Sequence, residues 1–298
     1  MRLSEPQTRL PMTTATITPS TGHPLWNPEA IAQLLRTCGQ NALHGRRHGA
    51  WRLKGDGSLV TALDIANERL LRDELTRLIP GSRFIGEETL QSCTEDYLDD
   101  CFTGDCWIVD PIDGTAPFAH GFPLWAVSVG LMHDGQLVDG GICMPSLGEL
   151  LLTAGPALLR ADADAGALRP FAPEPQSWSP GGMIELGQAV VRTCRLTLPN
   201  PLLATGSAVQ AISSVILGDA MLYIGRFKLY DIAGLLPIMG RAGLRALVPG
   251  HGEMTPDVRG GAFELASTAA HRWSLRATAR IGWPQTLEQL PDELNDIL

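Results

Sequence analysis

The stretch WIVDPIDGTAPF, Trp107 to Phe118, sets two aspartates three positions apart around a proline, after an apolar run and before Gly-Thr. The run CWIVD, Cys106 to Asp110, has the length and content of a short buried strand. In Asp-Pro-Ile-Asp the proline stiffens the turn and removes one amide donor, which lets both aspartates and the Ile112 carbonyl face one side. Gly114 and Thr115 follow with a flexible backbone amide and a hydroxyl where a helix begins, an arrangement suited to an anion's oxygens.

Other acids join this pair. RFIG, Arg83 to Gly86, reads as a second short strand and runs into Glu87-Glu88, while Asp231 stands in KLYDIAG. Carboxylates gathered in a core-forming part of the chain repel one another unless cations neutralise them. Oxygen ligands favour Mg2+, Mn2+ or Ca2+ over zinc or copper. A metal beside an anion cradle points to metal-dependent phosphoryl chemistry; a solvated acidic turn and a purely structural cation site are the competing readings.

Around these strands, Pro28–Leu43 reads as a helix with Ile31, Leu34 and Leu35 on one side. A second helix is expected in DIANERLLRDELTRLIP, with Leu71, Leu75 and Leu78 at helical spacing, Asp64 as N-cap and Pro80-Gly81 as terminator. PLWAVSVGLMHDGQLVDGGICMPSLGELLLTA reads as an antiparallel meander turning at Asp134-Gly135 and Pro145-Ser146. Ala161–Gly182, rich in Pro, Gly and Ala, is the expected linker. Beyond it, AVVRTC is expected as a strand, Ser207–Leu217 as a helix, AMLYIG as a strand and Asp231–Arg241 as a helix closed by Gly243. The organisation is a tail over 1–25, an N-terminal α+β lobe over 26–159 with a boundary near Leu159, and a C-terminal α/β lobe over 160–298 that supplies Asp231.

Composition narrows the function classes. With 298 residues, 44% hydrophobic and 18% charged, the chain has ample material for a core. A net charge of −9 disfavours nucleic acid as a partner, and HGRRHG at 44–49 reads as a solvated helix end. Six cysteines without CxxC spacing fit a reducing, cytoplasmic setting. The Thr- and Pro-rich first 25 residues have no signal-peptide core, and no run nears the roughly 18 apolar residues of a membrane span.

These acids, in this order, resemble the signature of the inositol monophosphatase superfamily: Asp64 in SLVTALD, Glu87-Glu88 in FIGEE, DPIDGT from Asp110 to Thr115, and Tyr230-Asp231. The resemblance runs from about Lys54 to about Gly243 and includes GSA, Gly206 to Ala208. It implies an α+β or α/β chain folded as a layered αβαβα sandwich of the inositol monophosphatase and fructose-1,6-bisphosphatase type. It further implies a phosphomonoesterase using two or three Mg2+ ions, with Mn2+ as a substitute, lithium sensitivity and a homodimer. On that resemblance Glu87, Asp110, the Ile112 carbonyl, Asp113 and Asp231 hold metal, with Glu88 in support. Asp64 and Thr115, with Glu87, activate the attacking water; the Gly114 and Thr115 amides bind phosphate; Lys54 lies on a mobile loop that closes the site.

The chain departs from the pattern at two places that bear on chemistry. Tyr230 stands where a tryptophan is usual, which keeps an aromatic before Asp231. Ile224 replaces the glutamate that binds sugar hydroxyls in inositol-specific members, which weakens inositol phosphate as the substrate. Arg226 and Lys228 are candidates for contacting a second anionic group, or are surface charges flanking a strand. Gly206, Ser207 and Ala208 are further substrate candidates by resemblance, with a helix N-cap as the plain alternative for Ser207. Histidinol phosphate, fructose 1,6-bisphosphate and 3′-phosphoadenosine 5′-phosphate remain alternatives, as does an inactive metal-binding scaffold. The histidines form neither HxH nor HExxH, so His120, His133 and His251 are expected as turn residues rather than ligands.

Overall fold

The computed structural model describes residues 21–46, 51–55, 57–265 and 273–295. Most of the expected tail, residues 1–20, and residues 47–49 of the basic cluster lie outside them.

Strand Asp105–Asp113, second from the edge of the first sheet, is apolar on both faces along its middle. Trp107 and Val109 enter the cluster formed with the N-terminal helices, whereas Cys106 and Ile108 enter the cluster on the opposite face. Residues buried on both faces make a continuous apolar run rather than an alternating one. The strand pairs in parallel with Arg83–Gly86 and antiparallel with Ala126–His133. The meander continues through Gln136–Met144, Glu149–Ala154, Ala157–Asp162 and Arg169–Phe171, giving seven strands. Its first hairpin turns at Asp134 and Gly135, with φ of 48° and 78°, the left-handed pair a tight hairpin requires.

Helices Pro28–Gly45 and Ala62–Leu78 cover one face of this sheet, and Ala208–Leu217, Leu229–Ala233 and Leu235–Ala242 cover the other. Those last helices also pack on a six-stranded sheet ordered Leu202–Leu203, Ile184–Leu186, Leu222–Gly225, Ala279–Gly282, Arg245–Val248, Gly252–Glu253. The outer face of the second sheet carries a third apolar cluster with Leu287 and Leu294. The layers therefore read αβαβα, as the resemblance implied.

Several local expectations are corrected. Asp64 is not the N-cap; Thr61 is, and Asp64 closes a capping box from the first turn. AVVRTC is not a strand: Gln188–Thr193 is a short helix burying Val190 while Val191 stays exposed, so one-sided packing overrides the β-branched content. The strand lies earlier, at Ile184–Leu186. The helix expected over Asp231–Arg241 is broken in two at Gly234. Leu159 falls inside a strand of the first sheet, and the changeover between sheets comes between Phe171 and Ile184.

Gly234 explains how Asp231 reaches the first sheet. A Cβ on Gly140 would sit 2.0 Å from the Gly234 carbonyl oxygen, and one on Gly130 would sit 2.4 Å from the Ala233 carbonyl. Backbone meets backbone there, which only glycine permits. The contact is locked by a buried ion pair from Arg241 Nη2 to Asp139 Oδ1 at 2.9 Å. Gly140→Ala is expected to lower stability by about 1–3 kcal/mol through overpacking, measured as a fall in urea midpoint.

Candidate metal centre

The pattern of strand Asp105–Asp113 breaks at its C-terminal end. Asp110 pairs with Ser128 and Asp113 with Ala126, so three steps on one strand oppose two on the other, a bulge at the proline that has no N–H to give. The Ile112 N–H donates to Asp110 Oδ1 at 3.0 Å, closing a turn within the DPID stretch. Asp231, in the first turn of Leu229–Ala233, completes the group, and oxygens of Asp110, Asp113 and Asp231 lie within 4.8 Å of one another.

Each acid has its own support. Asp113 accepts a very short hydrogen bond from the Ser207 hydroxyl and one from Val209 N–H at 2.8 Å, so the start of helix Ala208–Leu217 is aimed at it. Asp231 accepts from Lys228 N–H at 2.8 Å. Asp64, fully buried, accepts through Oδ2 from Thr61 N–H at 2.8 Å and through Oδ1 from the Thr115 hydroxyl at 3.2 Å. The Ile112 carbonyl is the second acceptor near that hydroxyl, at 3.1 Å. Gly114, at φ 88°, precedes the short helix Thr115–Ala119; a Cβ there would lie 2.8 Å from the Leu124 carbonyl. Lys54 bridges both glutamates, 2.8 Å from Glu87 Oε1 and 2.6 Å from Glu88 Oε1.

The electrostatics follow from burial of like charges. Desolvation first, then Glu87, Asp113 and Asp231, hold the Asp110 carboxyl well above its usual range. Asp231 is raised for the same reasons, with Asp113 the leading charge. Burial pushes Asp113 up to about 6, and the donors from Ser207 and Val209 oppose it. Burial and Glu87 push Glu88 up to about 7 even though Lys54 pulls the other way. A group of buried acids that raise one another's proton affinity fits a hard divalent cation, whose charge would relieve the repulsion.

Not every expected site residue joins this centre. Ile224 is fully buried in the apolar cluster with Ile184 and Leu186, so it offers no substrate contact. The exposed Arg226 spends its guanidinium on the Leu275 and Arg276 carbonyls, at 3.2 and 2.8 Å. Lys228 Nζ lies 5.4 Å over the Tyr230 ring. Ser207 is an N-cap that also touches Asp113; Gly206, at φ 82°, precedes it, and the Ala208 N–H is 3.4 Å from Asp113 Oδ1. Glu68 was not anticipated: buried beside Gly86, it accepts the Glu88 N–H at 2.7 Å. Its position four residues after Asp64, on one helix face, is the signal that points to it.

Comparison with known proteins adds to this geometry. The model described as the Inositol monophosphatase family matches residues 28–165. The inositol-1-monophosphatase of Mesorhizobium japonicum is 42% identical over 101 residues, 34% of this chain and 36% of that protein. The chain thus matches little more than a third of that relative's length. A histidinol-phosphatase of Chlorobaculum parvum is 28% identical over 214 residues, 67% of this chain and 76% of that protein. Among solved structures, the Thermotoga maritima IMPase superposes with a TM-score of 0.68 at 18% identity, covering 90% of this chain and 96% of that one. The suhB protein from Bartonella henselae gives 0.67 at 20%, covering 91% and 98%. Both show a shared fold.

A pH dependence follows from the raised carboxyls. A group whose folded pKa exceeds its unfolded value stabilises fully below the unfolded pKa, about 4, and that contribution is lost as pH rises through the folded value. For Asp113 and Glu88 the folded values are about 6 and about 7. In EDTA the melting temperature is expected to fall between pH 4 and 8 on the scale of those values, with Mg2+ restoring more at pH 8 than at pH 5. Asp110→Asn in EDTA at the higher pH is expected to melt no lower than the parent chain. An apo melting temperature that climbs across this range would contradict the assignment.

Proposed function

The chain belongs to the inositol monophosphatase family, and from that premise we propose that it is a Mg2+-dependent phosphomonoesterase releasing phosphate from a small phosphorylated metabolite. The single observation that carries the reading is the Asp110–Asp113–Asp231 group, with the Asp64–Thr115 hydrogen bond set in the same network of acids. Glu87, Asp110, the Ile112 carbonyl, Asp113 and Asp231 would hold Mg2+, and Glu88, paired with Lys54, would support them. Bound Mg2+ would supply positive charge that makes the attacking water more acidic and offsets charge on the phosphoryl oxygens.

The chain's own groups take the proton of the attacking water and hold the phosphate. The Thr115 hydroxyl accepts a proton from water as it gives its own to Asp64 Oδ1, already its acceptor. Burial and the Glu87 charge raise the proton affinity of Asp64, which suits that role. The Gly114 and Thr115 amides orient the phosphate, and Lys54 ties the preceding hairpin to the glutamates. Water is the nucleophile in this scheme, with no covalent intermediate.

The substrate is set by less. Ile224 lies in an apolar cluster where the inositol-specific pattern places a sugar-binding glutamate, which argues against inositol phosphate as the preferred substrate. The relative called histidinol-phosphatase aligns in sequence with 67% of the chain, against 34% for the Mesorhizobium japonicum inositol-1-monophosphatase, which favours histidinol phosphate as the second reading.

Inorganic phosphate release across inositol 1-phosphate, histidinol phosphate, fructose 1,6-bisphosphate and 3′-phosphoadenosine 5′-phosphate, with Mg2+ or EDTA, tests the proposal. Turnover of one substrate is expected with Mg2+ and none with EDTA. Asp110→Asn and Asp231→Asn are expected to abolish it. Ser207→Ala, which removes a support of Asp113, should cost about 10- to 100-fold. A folded Asp110→Asn protein with full activity would sink the metal assignment.

A further inference from the structure

A second cluster stands at the far end of strand Asp105–Asp113. Asp105 opens strand Asp105–Asp113 and His133 closes Ala126–His133; the two are register partners, so their side chains share one face of the sheet. His23, from the segment before helix Pro28–Gly45, completes the group. Asp105 Oδ1 lies 3.2 Å from His23 Nε2 and 2.6 Å from His133 Nδ1, and the three ligand atoms fall within 4.8 Å of one another.

We propose that His23, Asp105 and His133 form a binding site for a borderline divalent cation of the zinc class, separate from the carboxylate centre. The donor set is the reason. Two imidazoles and one carboxylate suit zinc, whereas the all-oxygen centre at Asp110 suits magnesium. Tetrahedral ligands at zinc distances stand roughly 3.3 Å apart, close to the His23–Asp105 separation; His133, half-exposed at its strand end, provides the small outward shift the shorter separation requires.

The surroundings hold the ligands in place. His23 is pinned by its own N–H, which donates to Asp139 Oδ2 at 2.6 Å, and Trp26 nearby donates to the Thr153 carbonyl at 2.8 Å. The His133 Nε2, left free of metal when Nδ1 binds, lies 3.6 Å from Asp134 Oδ2, a carboxylate placed to orient it. Ligation through His23 Nε2 puts the ring proton on Nδ1, so the long 3.3 Å contact from the Leu25 N–H gives way. Three separate chain segments meet here, so a bound cation would clip the N-terminal segment to the sheet.

The test is Zn2+ binding by calorimetry in saturating Mg2+, which reserves the carboxylate centre, on the full chain and on His133→Ala and Asp105→Asn. One Zn2+ per chain is expected, removed by EDTA, with affinity falling at least tenfold in both variants while circular dichroism and Mg2+-dependent behaviour stay unchanged. Absence of Zn2+ binding in the parent chain, or undiminished binding in both variants, would overturn the site and leave a hydrogen-bonded triad without metal. Asp105→Asn keeps the shape of the side chain, so the result stands even if His133→Ala fails to fold.

Discussion

The structure depends on forcing like charges together. Asp110, Asp113 and Asp231 come from two elements far apart in the chain, and their mutual repulsion disfavours the arrangement. What overrides it is backbone contact: Gly130 and Gly140 on the sheet let the Ala233 and Gly234 carbonyls approach to where a Cβ would otherwise sit. The buried Arg241–Asp139 pair, extended by Arg241 hydrogen bonds to Gly155 and Val138, secures the next helix, Leu235–Ala242. Apolar burial on both sides of that contact supplies the free energy, and the acids are carried along as passengers of the packing.

Within the group the acids are not equivalent. Asp113 faces the start of a ten-residue helix and a serine hydroxyl, and these donors hold part of its charge. Asp110 receives one backbone N–H from its own turn, and Asp231 receives one from Lys228. Asp64 stands apart, tied to the Thr61 cap and to Thr115. Lys54 bridges the two glutamates, so the hairpin that carries it is fastened to the same centre. Different hydrogen-bond environments thus set chemically similar side chains apart from one another.

Strand Asp105–Asp113 carries carboxylates at both ends and an apolar middle. Cys106 through Val109 are buried among apolar side chains on both faces, so the strand's carboxylates, Asp105 at one end and Asp110 and Asp113 at the other, flank that middle. At one end the proline bulge turns two aspartates together; at the other, antiparallel pairing sets Asp105 beside His133. The second arrangement cannot be read from spacing, since His23, Asp105 and His133 share no motif.

By itself the sequence determined the buried strand that leads into Asp110, the tight Asp134-Gly135 hairpin, the two N-terminal helices and the identity of the acids, because these follow from local periodicity, turn chemistry and a short contiguous pattern. Only the tertiary structure decided that Ile224 faces an apolar cluster, that Gln188–Thr193 is helical, that Glu68 underlies Glu88, and that Ser207 serves Asp113. The physical reason is common to all four. Which way a strand residue points, and which partner a polar atom finds, depends on the sheet register and on layers contributed by distant segments, and those are set by packing rather than by neighbours in the chain.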